Sequence, residues 1–257
     1  MLFNALGLLI VVTVIVVIAM AWSRGRDSRY FHLLSAVVAP VSTQLAAASP
    51  PDVVRPFSWA PGTDLSAWHW FQGEQVEFSV GADAVRFVPL VESVWWKNER
   101  GPMLYTVVSG DVTVTTRVQV RKQSNPSLPP DMEWQFAGVM LRDPAGDAWL
   151  SRENYVFNVV GHRGKRLQVE TKSTQSGYSQ VDAWDWESGD AELRIVRKGA
   201  LFSLFARQDA NAEWIALTQY ERPDLPATLQ IGFIVYAYSE GRGRFDMQGE
   251  FRTLEIQ

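Results

Sequence analysis

Seven residues carry side chains of the kind that recognise sugars: Trp95, Trp96, Trp134, Arg142, Tyr178, Trp184 and Trp186. Sugar rings offer flat C–H faces that stack on aromatic rings, and hydroxyls that pair with amides, guanidinium groups and carboxylates. Trp95 and Trp96 are adjacent, so an extended backbone points one inward and one outward, with Lys97, Asn98 and Glu99 following. Trp184 and Trp186 share a face if extended, near Tyr178 and Gln175. Trp134, Phe136, Gly138, Met140 and Arg142 form one face of an expected strand, and Gln135, Ala137, Val139 and Leu141 form the other, core-like face. An arginine on an inward-curving face needs a partner, either a structural carboxylate or a ligand. Trp68, Trp70 and Trp214 read as packing residues.

Catalytic material is sparse. The nearest approach to an acid pair is Asp182-Ala183-Trp184-Asp185-Trp186-Glu187, where Asp185 and Glu187 share a face in a strand. The turn-like Ser188-Gly189-Asp190 that follows makes a solvated loop equally compatible. The chain has 3 histidines, His32, His69 and His162, all far apart, and His162 sits in a Gly-His-Arg-Gly turn that reads as exposed. It has 0 cysteines, which removes disulfides, thiolate metal sites and cysteine nucleophiles. EF-hand, phosphate-loop and zinc motifs are absent. No catalytic residue, metal ligand or cofactor is assigned. A calcium site of carbonyls and aspartates would leave little sequence trace and stays open.

The elements that must position these residues follow from composition and periodicity. Of 257 residues, 47% are hydrophobic and 12% aromatic, with 11 tryptophans, enough for a large core. The formal net charge is -4, and the body of the chain has no basic block, so the electrostatic footprint of a nucleic-acid binder is missing.

Leu2 to Ala21 is an uncharged run rich in Leu, Ile and Val. As a helix of about 1.5 Å rise per residue it matches a bilayer core of roughly 30 Å. Arg24, Arg26 and Arg29 follow, and taken alone they prefer the cytoplasm and leave the remaining chain inside. Read from Met20, the same arginines form a basic n-region, Phe31 to Val41 an apolar h-region, and Ala46-Ala47-Ala48 a cleavage region. That reading, or a hairpin of two segments, sends the domain to the extracytoplasmic side, which is the expectation adopted. The cytoplasmic side is the alternative. Residues 1–50 are thus a hydrophobic membrane or signal region, and 51–257 one β-sandwich domain.

After the Ser49-Pro50-Pro51-Asp52 linker the texture turns to short alternating runs broken by turn formers. Val112 to Val120 reads V-T-V-T-T-R-V-Q-V, a period of two. Similar runs recur to the C-terminus, and Gln123 to Asp131, with Pro126, Pro129 and Pro130, reads as a surface loop. No long helical pattern follows residue 50. Ten or more strands with short connections predict an all-β, antiparallel, two-sheet sandwich.

The motif order adds a resemblance. Gly101-Pro102-Met103-Leu104-Tyr105 leads to Ser109-Gly110-Asp111-Val112, then to Ala137-Gly138-Val139-Met140-Leu141-Arg142 and Asn154-Tyr155. Leu193-Arg194-Ile195-Val196-Arg197-Lys198-Gly199, Trp214 and Ile231-Gly232-Phe233 follow. Over residues 55 to 257 this resembles the concanavalin A-like lectin/glucanase superfamily, and within it the DUF1349-like domains. Val112 stands where Phe is common after Ser-Gly-Asp. The resemblance implies a jelly-roll sandwich; its members include lectins, hydrolases and uncharacterised modules. Related glucanases carry E-x-D-x-x-E on one strand, an arrangement absent here.

Aromatics without a catalytic constellation lead to one expectation above the others: a membrane-associated, non-catalytic module that binds a glycan or polysaccharide. A glycoside hydrolase or lyase with an atypical acid pair, drawn from Glu133, Asp185 and Glu187, is the first alternative. A structural or protein-interaction domain at the membrane is the second.

Overall fold

The computed structural model describes residues 57–58, 62–147, 152–239, 241 and 245–257. All lie in the unit Ala47–Gln257. The hydrophobic segments and the boundary expected at residue 50 lie outside the described residues. Among the described residues, no helix is long and apolar enough to cross a membrane.

The strands are β1 (Phe57–Ser58), β2 (His69–Phe71), β3 (Val76–Val80), β4 (Val85–Pro89), β5 (Met103–Ser109), β6 (Val112–Arg121) and β7 (Gln135–Arg142). They continue with β8 (Tyr155–Arg163), β9 (Arg166–Gln175), β10 (Tyr178–Asp185), β11 (Asp190–Lys198), β12 (Leu201–Arg207), β13 (Ile215–Glu221), β14 (Thr228–Ala237) and β15 (Gln248–Ile256). Helical structure among the described residues is confined to 3-10 turns at Gly73–Gln75 and Pro144–Asp147. One sheet runs β13-β12-β11-β6-β15-β4-β3, with β1 on β15, and is eight-stranded; the other runs β10-β9-β8-β7-β14-β5-β2 and is seven-stranded. Their strand pairings are antiparallel. The chain crosses between sheets at β1–β2, β2–β3, β4–β5, β5–β6, β6–β7, β10–β11, β13–β14 and β14–β15, so residues far apart in sequence become neighbours.

Alternation decides which side chains meet. Val112, Val114, Val118 and Val120 of β6 turn inward, against Val139 and Leu141 of β7, Val156 and Val160 of β8, and Phe233 of β14. This is the shared core between the sheets. β7 is different, because all eight of its residues are buried. Its second face joins Trp95, Met103, Tyr155, Phe157, Ile234 and Tyr236 in a separate cluster on the outer face of the seven-stranded sheet. The two faces of β7 therefore divide as its periodicity predicts. Gly138 and Gly232 lie where a Cβ would meet Asn158 O at 2.1 Å and Leu104 O at 1.9 Å. Only glycine lets neighbouring backbones approach so closely.

A strap over residues 90–102 covers that outer face. Ser93 N donates to Ala237 O (2.9 Å), Lys172 Nζ to Trp95 O (2.5 Å), and Lys97 N to Ser179 Oγ (2.9 Å). These bonds tie the strap to β14, β9 and β10 in turn. Beneath it, Trp95 packs edge-on to Tyr155 (5.6 Å) and tilted on Phe71 (6.0 Å). Each such aromatic removes roughly 150–250 Å² from water, on the order of 4–6 kcal/mol at about 25 cal/mol per Å².

Trp68 stacks on Phe233 at 5.8 Å, and Trp70 packs edge-on to Phe78 and Phe87, in keeping with packing roles. Trp214 packs differently. It is clasped by two guanidinium groups, Arg194 at 4.0 Å and Arg207 at 4.4 Å, rather than by the sandwich core. The Gln123–Asp131 segment is a loop between β6 and β7, as its prolines predict.

Candidate functional site

The structure separates the seven residues into three groups. Trp95 and Arg142 are both 0% exposed. Neither presents a surface to a ligand, which corrects the expectation that they stack on or bond to one. Arg142 is held by Glu153, with Nε to Oε2 and Nη2 to Oε1 both 2.8 Å, and its Nη1 donates to Gln230 Oε1 at 2.7 Å. Phe71 lies over the guanidinium at 4.4 Å. The partner required by an inward-facing arginine is a carboxylate of this chain, supplied from the segment before β8.

Trp96 and Trp134 form the second group, at the margins of the outer face. Trp96 is 38% exposed and has Lys172 Nζ 5.0 Å from its ring. The in-and-out alternation of Trp95 and Trp96 holds although the strap is not a strand. Trp134 is half-buried, with φ at 50°, sparsely populated for a bulky residue. Its ring packs on Tyr238 at 5.7 Å, and its carbonyl accepts from Tyr238 N. Beside Trp96, Glu170 and Lys172 of β9 are buried on the same face. Burial pushes the Glu170 carboxyl above its ordinary range and the Lys172 ammonium down to about 8. Burial likewise raises the Tyr236 hydroxyl.

The third group is Tyr178, Trp184 and Trp186, and these belong to one line. β10 pairs with β9 so that Tyr178 opposes Gln175, Gln180 opposes Ser173, Asp182 opposes Thr171 and Trp184 opposes Val169. Opposed side chains share a face. Val169 is in the shared core, so this face of β10 is turned toward the other sheet. Trp186 N donates to Leu167 O at 2.9 Å, which continues the ladder one step beyond β10. The result is a row: Tyr178, Gln180, Asp182, Trp184, Trp186. It lies on the edge strand of the seven-stranded sheet, at about 6.8 Å per step.

The row opens progressively along its length. Trp186 is 9% exposed, Trp184 and Asp182 are half-buried, Gln180 is exposed, and Tyr178 is 74% exposed. Asp182 is held in place by Tyr220 of the facing sheet, whose hydroxyl donates to Asp182 Oδ2 at 3.0 Å while meeting Thr171 Oγ1 at 2.8 Å. Burial raises the Tyr220 hydroxyl, which keeps it a donor.

A hollow lies at each end of the row. Around Tyr178 an open hollow of about 460 Å³ is lined by Ser173, Gln175, Ser176, Ser179 and Gln180, neutral hydroxyls and amides throughout. Around Trp186 an open hollow of about 580 Å³ is bordered by the proline loop and the β8–β9 hairpin. Here His162, expected to be exposed, is only 8% exposed, because the loop covers it and Nδ1 meets Met132 O at 2.9 Å.

Carboxylates suited to acid–base work do not converge on this row. Asp185 faces the opposite side of β10 and pairs with Arg166 at 2.7 Å. Asp131 pairs with Lys122 at 2.6 Å. The Trp186 hollow includes both of these, but neither Glu133 nor Glu187. Among the described residues, no group of three or more His, Asp or Glu side chains is arranged to hold a metal ion.

Two features of the site do not follow from the sequence expectations. β10 was not separated from a loop, so Gln180 and Asp182 were not placed beside Tyr178 and Trp184. Lys165 and Arg166, just after the Gly-His-Arg-Gly turn, have no role assigned to them from the sequence. The missed signal is the alternation Y-x-Q-x-D-x-W-x-W over 178–186.

No protein-family profile matches the chain, and no curated protein matches it. Solved structures do. A functionally unknown protein from Saccharomyces cerevisiae aligns at TM-score 0.61 and 15% identity, covering 76% of this chain and 98% of that one. The exoplasmic/lumenal domain of VIP36, in its Ca2+/Man3GlcNAc-bound form, aligns at TM-score 0.53 and 9% identity, covering 80% and 90%. The GH43B protein of a Bacteroides ovatus xyloglucan locus aligns at TM-score 0.58 and 13% identity, covering 82% of this chain and 41% of that one. These likenesses show the fold alone, an antiparallel two-sheet β-sandwich shared with these structures.

Proposed function

We propose that this chain is a non-catalytic glycan-binding module, displayed at a membrane surface by its N-terminal hydrophobic region. The observation that carries the reading is the β10 row, in which the exposed Tyr178 at one end and Trp184, with the largely buried Trp186, at the other flank an amide and a carboxylate along one sheet edge. Aromatic faces at intervals, with planar polar groups between them, suit the alternating C–H faces and hydroxyls of a saccharide chain. The neutral hollow beside Tyr178 supplies further amide and hydroxyl partners.

Support also comes from the fold, since the VIP36 exoplasmic/lumenal domain that aligns with this chain is in a Ca2+/Man3GlcNAc-bound form. The uncharged Leu2 to Ala21 segment supports membrane attachment, and an extracytoplasmic position follows from the signal-like reading of residues 20–48. The DUF1349-like grouping rests on motif order over residues 55 to 257.

The test is affinity electrophoresis of the purified full chain through gels containing single neutral polysaccharides. At least one should retard the wild type, and Tyr178→Ala with Trp184→Ala should abolish the retardation. A wild type that migrates freely in every gel overturns the proposal.

A further inference from the structure

The two ends of the β10 row differ in charge. The Tyr178 hollow is lined by neutral residues, whereas the Trp186 hollow gathers Lys122, Lys165, Arg166 and His162 around two aspartates. Both aspartates are already neutralised, Asp131 by Lys122 and Asp185 by Arg166. Lys165 has no ion-pair partner among the described residues. It sits with Gly164 at the tip of the β8–β9 hairpin, where Gly164 takes φ +67° and the turn presents the lysine to solvent at the hollow.

His162 is oriented for the same task. Its Nδ1 is engaged by the Met132 carbonyl, so Nδ1 carries the proton and Nε2 is the nitrogen left for a ligand. Trp186 completes the arrangement. Its indole N–H is spent on Asp190 O at 2.8 Å and most of its ring packs in the shared core, so it offers the hollow the small part of the ring left exposed. Leu128, Pro129 and Pro130 form the opposing apolar wall. A partly exposed indole, a surplus lysine, an exchangeable arginine and a histidine acceptor together fit a sugar ring bearing an anionic group and hydroxyls.

We infer that the Trp186 hollow is an acidic-sugar subsite, which takes a uronic acid residue of a glycan whose neutral part lies toward Tyr178. This rests on the glycan-binding reading and specifies its substrate class. Tyr178 and Trp186 are eight residues apart on an extended backbone, about 27 Å, so both ends act only on an oligosaccharide of several units. The carboxylate meets Lys165, Arg166 turns to it from the exposed Asp185 pair, and His162 Nε2 accepts from a sugar hydroxyl beside it. No covalent step is involved.

The test is isothermal titration of the purified full chain with three oligosaccharides of equal length: one containing uronic acid, its methyl ester, and a sulfated neutral analogue. The acid should bind at least tenfold tighter than its ester. Lys165→Ala combined with Arg166→Ala should erase that difference while preserving the ester's affinity, and Tyr178→Ala should weaken acid and ester alike. Both basic residues are exposed, so folding of the double variant is secured; His162→Gln gives an independent reduction. Equal binding of acid and ester, with neutral glycans still bound, overturns this inference and leaves the broader one standing. Tighter binding of the sulfated analogue overturns the carboxylate assignment. Absence of binding by all three and by the neutral polysaccharides overturns both readings.

Discussion

Arg142 and Glu153 meet side by side beneath the strap, two parallel N–H···O bonds of 2.8 Å between groups that are each fully buried. Arg100 approaches the same carboxylate at 2.5 Å, and a Cβ on Gly146 would intrude on the pair at 2.8 Å from Arg142 Nη2. The strap and the central strand β7 are therefore joined through one carboxylate, Glu153, and Arg100 also donates to Gly146 O in the 3-10 turn at Pro144–Asp147. Removing one partner strands the other charge without water. Glu153→Ala should lower unfolding stability by about 3–5 kcal/mol, while Arg142→Met with Glu153→Leu should recover most of it. Urea denaturation of the three proteins checks this. A loss under about 1 kcal/mol in Glu153→Ala would remove the pair from its central place in the strap.

Adjacent tryptophans should behave oppositely. Trp95→Ala empties the middle of the outer-face cluster and should cost about 3–5 kcal/mol. Trp96→Ala loses partial burial and its contact with Lys172, which amounts to about 1 kcal/mol. Thermal unfolding of both variants distinguishes them. Similar losses would contradict the in-and-out placement.

Lys172 supplies a pH test. Its ammonium is pushed down by burial to about 8 from an ordinary 10.5. Between these values the unfolded chain holds a proton that the folded chain lacks, so this group's contribution to stability rises with pH. The unfolding free energy of wild type minus that of Lys172→Met should therefore grow from pH 8 to 10. A difference that shrinks over that window would contradict the burial of a charged amine there.

Much of the architecture can be read in the residues, because a period of two in Val112 to Val120 leaves β6 one way to bury its valines. The division of β7 into two faces is equally plain, with Phe136 and Met140 on one and Val139 and Leu141 on the other. What covers the second face was not legible. Trp95 and Phe71 reach it from the strap and from β2, across sequence distances that no local pattern records. Arg142 illustrates the same limit: its side chain asks for a partner, but only the chain path brings Glu153 and Gln230 to it. β10 was missed for another reason. Its edge position leaves both faces partly wet, so polar residues interrupt the apolar alternation that marks a buried strand.

The β10 row makes a claim separable from stability. Tyr178 has 74% of its surface exposed, and Tyr178→Ala should leave the unfolding midpoint within about 0.5 kcal/mol of wild type. A change larger than this would mean that Tyr178 packs rather than waits for a ligand.

The most direct measurement is a calorimetric titration of the full chain with an oligosaccharide cut from whichever polysaccharide retards it. Wild type is compared with Tyr178→Ala, Trp184→Ala and Val107→Ala, the last an exposed apolar residue on β5. Each β10 substitution should weaken binding by about tenfold, the equivalent of one lost aromatic stack, and Val107→Ala should leave it unchanged. Undiminished affinity in both β10 variants would contradict the assignment of this edge as the glycan-binding surface.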